Sequence, residues 1–460
     1  MQPSDSTGGY GWEKLRRDLI SGVIVGLIAI PLGMAFAIAS GVKPEYGLYT
    51  TVVAGILISL LGGSRFQIGG PTGAFIPVLL AIVLQHGYER LLTAGLLAGV
   101  ILVIMGLLRA GTFIAFIPKA VTVGFTAGIA VIIFTGQIGS FLGLEGMERH
   151  EFFLQNIGEV LERFHTVSIE SVAVASICLA VMLVLPRLAP KIPPALAGIA
   201  VATAASMLLF DGRAATIASV YGEIPSSLPA VALPDLSWGT IVTMLPSALL
   251  IAALGSIESL LSAVVADGMS GTRHNSNREL VGQGIANIAS PLFGGIPATG
   301  AIARTAANIR TGAASRLSGV IHGVVVLLVL VLLAPQASQI PLAAMAPVLM
   351  VVAWNMSERK AFRELLAKRS PESVVLVATF LLTVFVNLIA GVGCGIALVL
   401  LYRLREAVRK RGFGAVRAAA PGRAGPRNDA AGGRKPGLDA ARSAGVRRSG
   451  GRSGDCLRRG

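Results

Sequence analysis

Three groups of residues in this chain have the types and spacing for ion chemistry. The first is a pair of Pro/Gly stretches sharing one triplet, Gly69-Gly70-Pro71-Thr72-Gly73-Ala74 and Gly295-Ile296-Pro297-Ala298-Thr299-Gly300-Ala301. Each reads as extended backbone leading into a helix whose first-turn amides lack internal partners and whose N-terminus carries partial positive charge. Two such ends pointed at each other form an anion site. Gly73 and Gly300 lack a Cβ, which lets an anion approach the backbone; close helix packing is the other use of such glycines. The second group is Glu258 with Ser262 one turn on and on the same helical face. A carboxylate and a hydroxyl stacked this way suit a sodium ion, the carboxylate alone suits a proton, and a plain buried acid would only pair with a cation. The third is Arg304, one turn after Gly300. It supplies positive charge behind an anion, or pairs with Glu258 when the site is empty, or forms a purely structural ion pair. Met34 and Phe36 line a cavity opposite Glu258 or belong to helix core.

Other chemistries lack their residues. The sequence has no Gly-x4-Gly-Lys-Ser/Thr phosphate loop, no His-Glu-x-x-His and no Cys/His cluster. Cys178, Cys394 and Cys456 are too far apart to suggest a disulfide framework or a metal site. We expect no cofactor, no enzymatic reaction and no ATP-driven step within this chain, and no metal beyond a sodium ion.

The elements that must position these groups lie in a membrane. Of 460 residues, 53% are hydrophobic and 14% charged, and mean hydropathy is +0.73; a soluble domain is nearer a quarter charged. The net charge of +15 does not point to nucleic acid, because residues 403–460 hold sixteen Lys/Arg against four Asp/Glu, leaving twenty-three against twenty for residues 1–402. Apolar segments recur at 19–39, 47–62, 91–108, 118–139, 168–185, 194–210, 240–266, 280–292, 317–334, 341–355, 372–389 and 390–402. The first is too long for the apolar region of a signal peptide and reads as an attached spanning helix. Two shorter, Gly/Pro-punctuated segments at 70–85 and 298–309 bring the count to fourteen, and these two read as half-helices. With the N-terminus inside, seventeen Lys/Arg fall in inside loops and five outside, as the positive-inside rule requires.

The two Thr-Gly-Ala triplets are 227 residues apart, and the same offset maps Ala39-Ser40-Gly41 onto Ala266-Asp267-Gly268. Seven segments per copy is an odd number, so the second copy enters the membrane from the opposite side. The expected fold is therefore an all-α integral membrane protein of two inverted seven-segment repeats. Residues 1–18 form an N-terminal segment in the cytoplasm, 19–210 the first repeat, 211–239 an extracytoplasmic connector and 240–402 the second repeat. Residues 403–460 read as a basic, disordered cytoplasmic tail.

These motifs resemble those of the SulP family of anion transporters. The resemblance is carried by Val25-Gly26-Leu27-Ile28-Ala29-Ile30-Pro31-Leu32-Gly33-Met34-Ala35-Phe36-Ala37, by Gly41 to Tyr49, by Gly69 to Phe75, by Glu258 to Gly268, by Gly295 to Thr305 and by Met350 to Glu358. It covers about residues 12–403. It implies core and gate domains moving by an elevator-like shift, usually in a homodimer; we expect a multi-pass protein of the cell (inner) membrane with both termini in the cytoplasm. It also implies a small-anion substrate such as sulfate, bicarbonate or a dicarboxylate. Carried over by motif, the anion site falls at Thr72, Gly73, Ala74, Gly300 and Ala301 with Phe36 nearby, to which the repeat adds Thr299 and Arg304. The coupling site falls at Glu258 with Ser262. Glu rather than Asp at position 258 tilts the reading toward protons, so we expect proton-coupled uptake of sulfate or a similar inorganic anion, with sodium-coupled bicarbonate or dicarboxylate symport, or an uncoupled exchanger or channel, as alternatives. The sequence departs from the family after the last helix, where a STAS domain is usual. Residues 411–460, rich in Arg, Gly, Ala and Pro, show no such pattern and read as the replacement of a lost domain, through a reading-frame change, or as a basic tail attracted to anionic headgroups.

Overall fold

The computed structural model describes residues 11–114, 118–190, 192–210, 213–386, 390–402 and 404–405; Lys191 and the tail from 406 onward lie outside them. The first half of the chain forms α1 (Trp12–Ala39), α2 (Pro44–Leu61), the two-residue strand β1 (Gly69–Gly70), a 3-10 turn (Gly73–Phe75) and α3 (Ile76–His86). It continues through α4 (Tyr88–Leu107), α5 (Gly111–Ile114), α6 (Lys119–Gly136), α7 (Ile138–Leu142) and α8 (Phe153–Glu162). The half closes with α9 (Ile169–Leu188), α10 (Pro194–Leu209) and α11 (Ile217–Tyr221). The second half repeats the order of the apolar elements: α12 (Trp238–Ser270), α13 (Ser276–Leu292), β2 (Thr299–Gly300), α14 (Ile302–Arg310), α15 (Leu317–Ser338) and α16 (Leu342–Met356). After the short amphipathic α17 (Arg359–Ala367) come α18 (Pro371–Phe385) and α19 (Ala390–Tyr402).

Every apolar segment read from the sequence corresponds to a helix or to one of the two broken segments. Among the described residues, seven helices are long and apolar enough to cross a membrane, and shorter apolar helices cover Gly73–His86, Pro194–Leu209, Pro371–Phe385 and Ala390–Tyr402. The protein is a predominantly helical, multi-pass membrane protein.

The packing of the two halves is reciprocal. Helix α1 packs on α15 as α12 packs on α4, α2 packs on α15 as α13 packs on α4, and α2 packs on α13. Small residues make these contacts possible, since without a hydrophobic drive between helices in lipid, close van der Waals approach must hold them together. A Cβ on Gly319 would lie 2.1 Å from Ser59 Oγ, and one on Gly323 2.4 Å from Ile56, at the α15–α2 contact. At the equivalent α4–α13 contact, a Cβ on Gly99 would lie 2.7 Å from the Gly284 carbonyl oxygen.

Loop hydrogen bonds gather the charged loops at one end. Arg17 Nε donates to the Gly312 carbonyl (2.9 Å), Arg278 Nε to that of Leu61 (3.2 Å), and Gly111 N–H to Asn277 Oδ1 (3.1 Å). At the other end, Tyr88 donates to the Gly294 carbonyl (2.6 Å), Thr93 to that of Asp235 (3.0 Å), and Ile224 N–H to Ser338 Oγ (2.9 Å). Arg17 and Arg278, both assigned to the inside from loop charge, thus lie among the loops of one end.

Irregular backbone inside a membrane protein is tolerable only when its polar groups are satisfied by protein or water. Here side chains from neighbouring helices do so. Asn287 accepts from Ala298 N–H (2.8 Å) and donates to the Ala298 carbonyl (2.9 Å), while Thr50 Oγ1 accepts from Ile296 N–H (2.7 Å). Asn308 Nδ2 donates to the Phe66 carbonyl (3.0 Å).

Candidate functional site

The two Pro/Gly stretches meet. Strands β1 and β2 pair antiparallel with Gly69 opposite Gly300 and Gly70 opposite Thr299. Immediately beyond the strands, the chain turns into the 3-10 turn and α3 on one side and into α14 on the other. The sequence leads one to expect extended backbone here; the pairing of the two segments is what fixes their relative register.

A cavity of about 240 Å³ opens at the starts of these two helices. One wall comes from Leu32 and Phe36 of α1, Thr72 and Gly73 before α3, Glu258 of α12, and Ala301 to Arg304 of α14. The facing wall comes from Thr126 of α6 and from Val352, Asn355 and Met356 of α16, with Glu358 at the α16–α17 turn. The cavity therefore lies between two sets of helices, and it leads toward the exposed α16–α17 turn.

Six of the sequence-predicted residues line this space: Phe36, Thr72, Gly73, Glu258, Ala301 and Arg304. Thr72 Oγ1 donates to Glu258 Oε2 at 2.7 Å, tying the first broken segment to the acid of α12. Arg304 is almost fully buried; Nη2 donates to the Pro71 carbonyl, and Nη1 has no hydrogen-bond partner among the described residues. Neither guanidinium nitrogen comes within ion-pair distance of Glu258: among the described residues, ion pairs form elsewhere. Arg304 is instead a cation held against the backbone of the opposite broken segment. Gly70 makes this possible, because its φ is +143° and a Cβ there would meet Nη1 at 2.7 Å.

Four predicted residues stand back from the cavity. Ala74 and Thr299 are buried, and Thr299 Oγ1 lies 2.8 Å from Ser259 Oγ. Gly300 N–H donates to Ser259 Oγ (3.0 Å), and a Cβ on Gly300 would fall 1.9 Å from Gln67 Nε2. At Gly300, then, the glycine serves packing rather than anion approach. Ser262 Oγ donates to Thr305 Oγ1 at 3.1 Å, so this hydroxyl is committed to α14 and not to Glu258. The Ala301 amide is likewise engaged, donating to the Ile68 carbonyl at 2.8 Å.

Ile302 and Ala303, the first two residues of α14, line the cavity together with Gly73, and amides at these positions have no partner within their own helix. The identical triplets point to Thr299 and Gly300 instead of Ile302 and Ala303, which are partly solvent-exposed in mid-chain. The signal that finds them is the helix start itself: α14 begins at Ile302. Asn355 and Glu358 were also missed as cavity residues, although they fall inside a stretch that carries the resemblance.

Comparison with known proteins gives one answer. The sequence profile of the sulfate permease family matches residues 15–379. YvdB of Bacillus subtilis (strain 168), provisionally named a sulfate transporter, is 56% identical over 412 residues, covering 89% of this chain and 78% of its own. The bicarbonate transporter BicA of Picosynechococcus sp. (strain ATCC 27264 / PCC 7002 / PR-6) is 32% identical over 402 residues, covering 85% of this chain and 70% of its own. The solved transmembrane domain of a cyanobacterial bicarbonate transporter BicA superposes with a TM-score of 0.75 at 32% identity, covering 83% of this chain and 98% of that one. The chain belongs to the sulfate permease family, by a sequence profile that matches residues 15–379 and by a relative 56% identical over 89% of the chain.

Proposed function

We propose that the protein is a secondary active transporter of a small inorganic anion, sulfate first, taken up together with protons. The observation that carries this reading is the cavity between two opposed helix starts with Glu258 in its wall. Amide N–H groups and helix dipoles at Gly73, Ile302 and Ala303 attract an anion, and Arg304 adds charge from behind. Such donors recognise negative charge without chemical detail, which suits a small oxyanion. Of the two carboxylates that line the cavity among the described residues, Glu358 sits at the α16–α17 turn and Glu258 midway along a spanning helix, and an acid at such a position usually marks an ion or proton pathway. Ser262 is bonded to Thr305, so the hydroxyl that meets the carboxylate is that of Thr72, which donates its proton to it. That arrangement favours the proton.

The cavity has one wall from α1, the segment before α3, α12 and α14 and another from α6 and α16. Sliding of the first set against the second would carry anion and proton together, an elevator-like step. The reciprocal packing supports two inverted seven-segment repeats with fourteen membrane segments, and the charge segregation supports cytoplasmic placement of both termini in an inner membrane. A homodimer completes the reading. Bicarbonate is a second substrate reading, favoured by the two resemblances to BicA.

The test is uptake of labelled sulfate and bicarbonate into proteoliposomes under imposed proton or sodium gradients. Uphill sulfate uptake driven by an inward proton gradient is the expected result. Accumulation driven only by sodium, or equilibration without accumulation, would replace the proposal with sodium symport or with a channel.

A further inference from the structure

A second cavity, of about 410 Å³, lies on the far side of α16 and takes no part in the anion site. Its floor is a helical stripe on α6, formed by Ala127, Ala130, Val131 and Phe134, closed by Phe380 of α18 and Trp354 of α16. Its rim is cationic: Arg359 and Arg363, one turn apart on α17, both line it, and among the described residues no Asp or Glu does. The Arg359 guanidinium stacks on the Trp354 ring with Cζ 3.7 Å from the ring centroid, which holds it at the rim. Helix α17 is strongly amphipathic, with Leu365 buried and Arg359 and Lys360 exposed, as for a helix lying in the interface plane at the end of the spans.

An apolar groove between spanning helices, topped by two guanidiniums at the interface, has the chemistry of an anionic phospholipid. The geometry points to a binding site for one such lipid, its acyl chain along the α6 stripe and its phosphate on Arg359 and Arg363. Helix α16 is the shared wall: Ala353, Trp354 and Ser357 face this groove, while Val352, Asn355 and Met356 face the anion cavity. A lipid seated here buttresses the wall along which the transporting helices would move.

The test is the thermal stability of the purified full-length chain in detergent with dioleoylphosphatidylglycerol, dioleoylphosphatidylcholine or inorganic phosphate added, alongside native mass spectrometry of retained lipid. Phosphatidylglycerol is expected to raise the melting temperature and to remain bound. Arg359→Ala with Arg363→Ala should weaken that binding about tenfold or more, and Arg359→Lys with Arg363→Lys should restore most of it. Equal stabilisation by phosphatidylcholine would mean that only the chain is recognised, and stabilisation by phosphate alone would mean a free-anion site. Crosslinking of Phe134→Cys between copies would mean that the groove is covered by a second chain. Each of these, or an unchanged response in the double alanine variant, overturns the proposal; the sulfate assay reads the anion site separately.

Discussion

The two broken segments share a Thr-Gly-Ala triplet, yet the triplets do different work. In the first, Thr72 and Gly73 follow the strand and open the half-helix, so they face the cavity. In the second, Thr299 and Gly300 are the strand itself, buried against Ser259 and Gln67. Aligned strand to strand, Gly69 matches Thr299 at an offset of 230 residues, three more than the 227 that aligns the triplets. Thr72 then corresponds to Ile302 and Gly73 to Ala303, which are the residues that do line the cavity. Sequence identity between repeats marks the neighbourhood of a site; hydrogen-bond register decides which residues face it.

The largest expected effect tests what both segments serve. Glu258→Gln keeps the shape and removes the titratable group, so proton-driven accumulation of sulfate should fall to background while the melting temperature holds within a few degrees. Retained uphill uptake would remove Glu258 from coupling.

The comparison itself is sharpened by proline at adjacent positions. Ile302→Pro removes the amide of a cavity-lining residue at the first helical position, where proline is tolerated and where Ala301 already has extended backbone. Loss of one hydrogen bond to a charged ligand, about 1.5–3 kcal/mol, should weaken anion binding by roughly tenfold or more with little change in stability. Ala301→Pro removes an amide bonded to Ile68 and should lower stability instead. Radiolabel binding and thermal denaturation together separate them, and the same phenotype for both would break the three-residue shift.

The two glycines should diverge as well. Gly300→Ala drives a methyl into buried Gln67, and overpacking of this kind costs about 1–3 kcal/mol; Gln67→Ala should rescue it. In Gly73→Ala the methyl meets flexible Met356 at 2.9 Å, so stability should change less and the apparent KM more. The threonines give a smaller contrast. Thr72→Val removes the bond to Glu258 and should reduce uptake several-fold, as initial-rate measurements will show. Thr299→Val should instead lower the melting temperature, by about 1 kcal/mol of stability.

The smallest effect concerns how the two halves begin. Helix α1 starts at Gly11 without a side-chain cap, whereas Asp235 accepts from the Thr240 hydroxyl (2.6 Å) and the Ser237 amide (2.9 Å) at the start of α12. Those bonds, the Thr240 hydroxyl foremost, hold the Asp235 carboxyl below its usual range. Its contribution is present above the unfolded-state pKa and is lost as pH falls through the lower folded-state value. Melting temperature measured against pH should show that acid-side loss in the wild type and not in Asp235→Asn.

Much of the fold was legible beforehand. The positions of α1, α4, α12 and α15, the two broken segments and the sorting of Arg17, Arg65, Arg278 and Arg316 to one end all follow from hydropathy and loop charge. Those are properties of consecutive residues, set by what lipid tolerates in a stretch of about twenty. Glu258 was legible for the same reason, as an acid in an apolar helix. The tertiary structure alone decided that Ser262 turns to Thr305, that Arg304 reaches the Pro71 carbonyl, and that Ile302 and Ala303 rather than Gly300 line the cavity. Each of those outcomes depends on a partner some 40 to more than 200 residues away, or on the pairing of β1 with β2, and no local pattern encodes such a register.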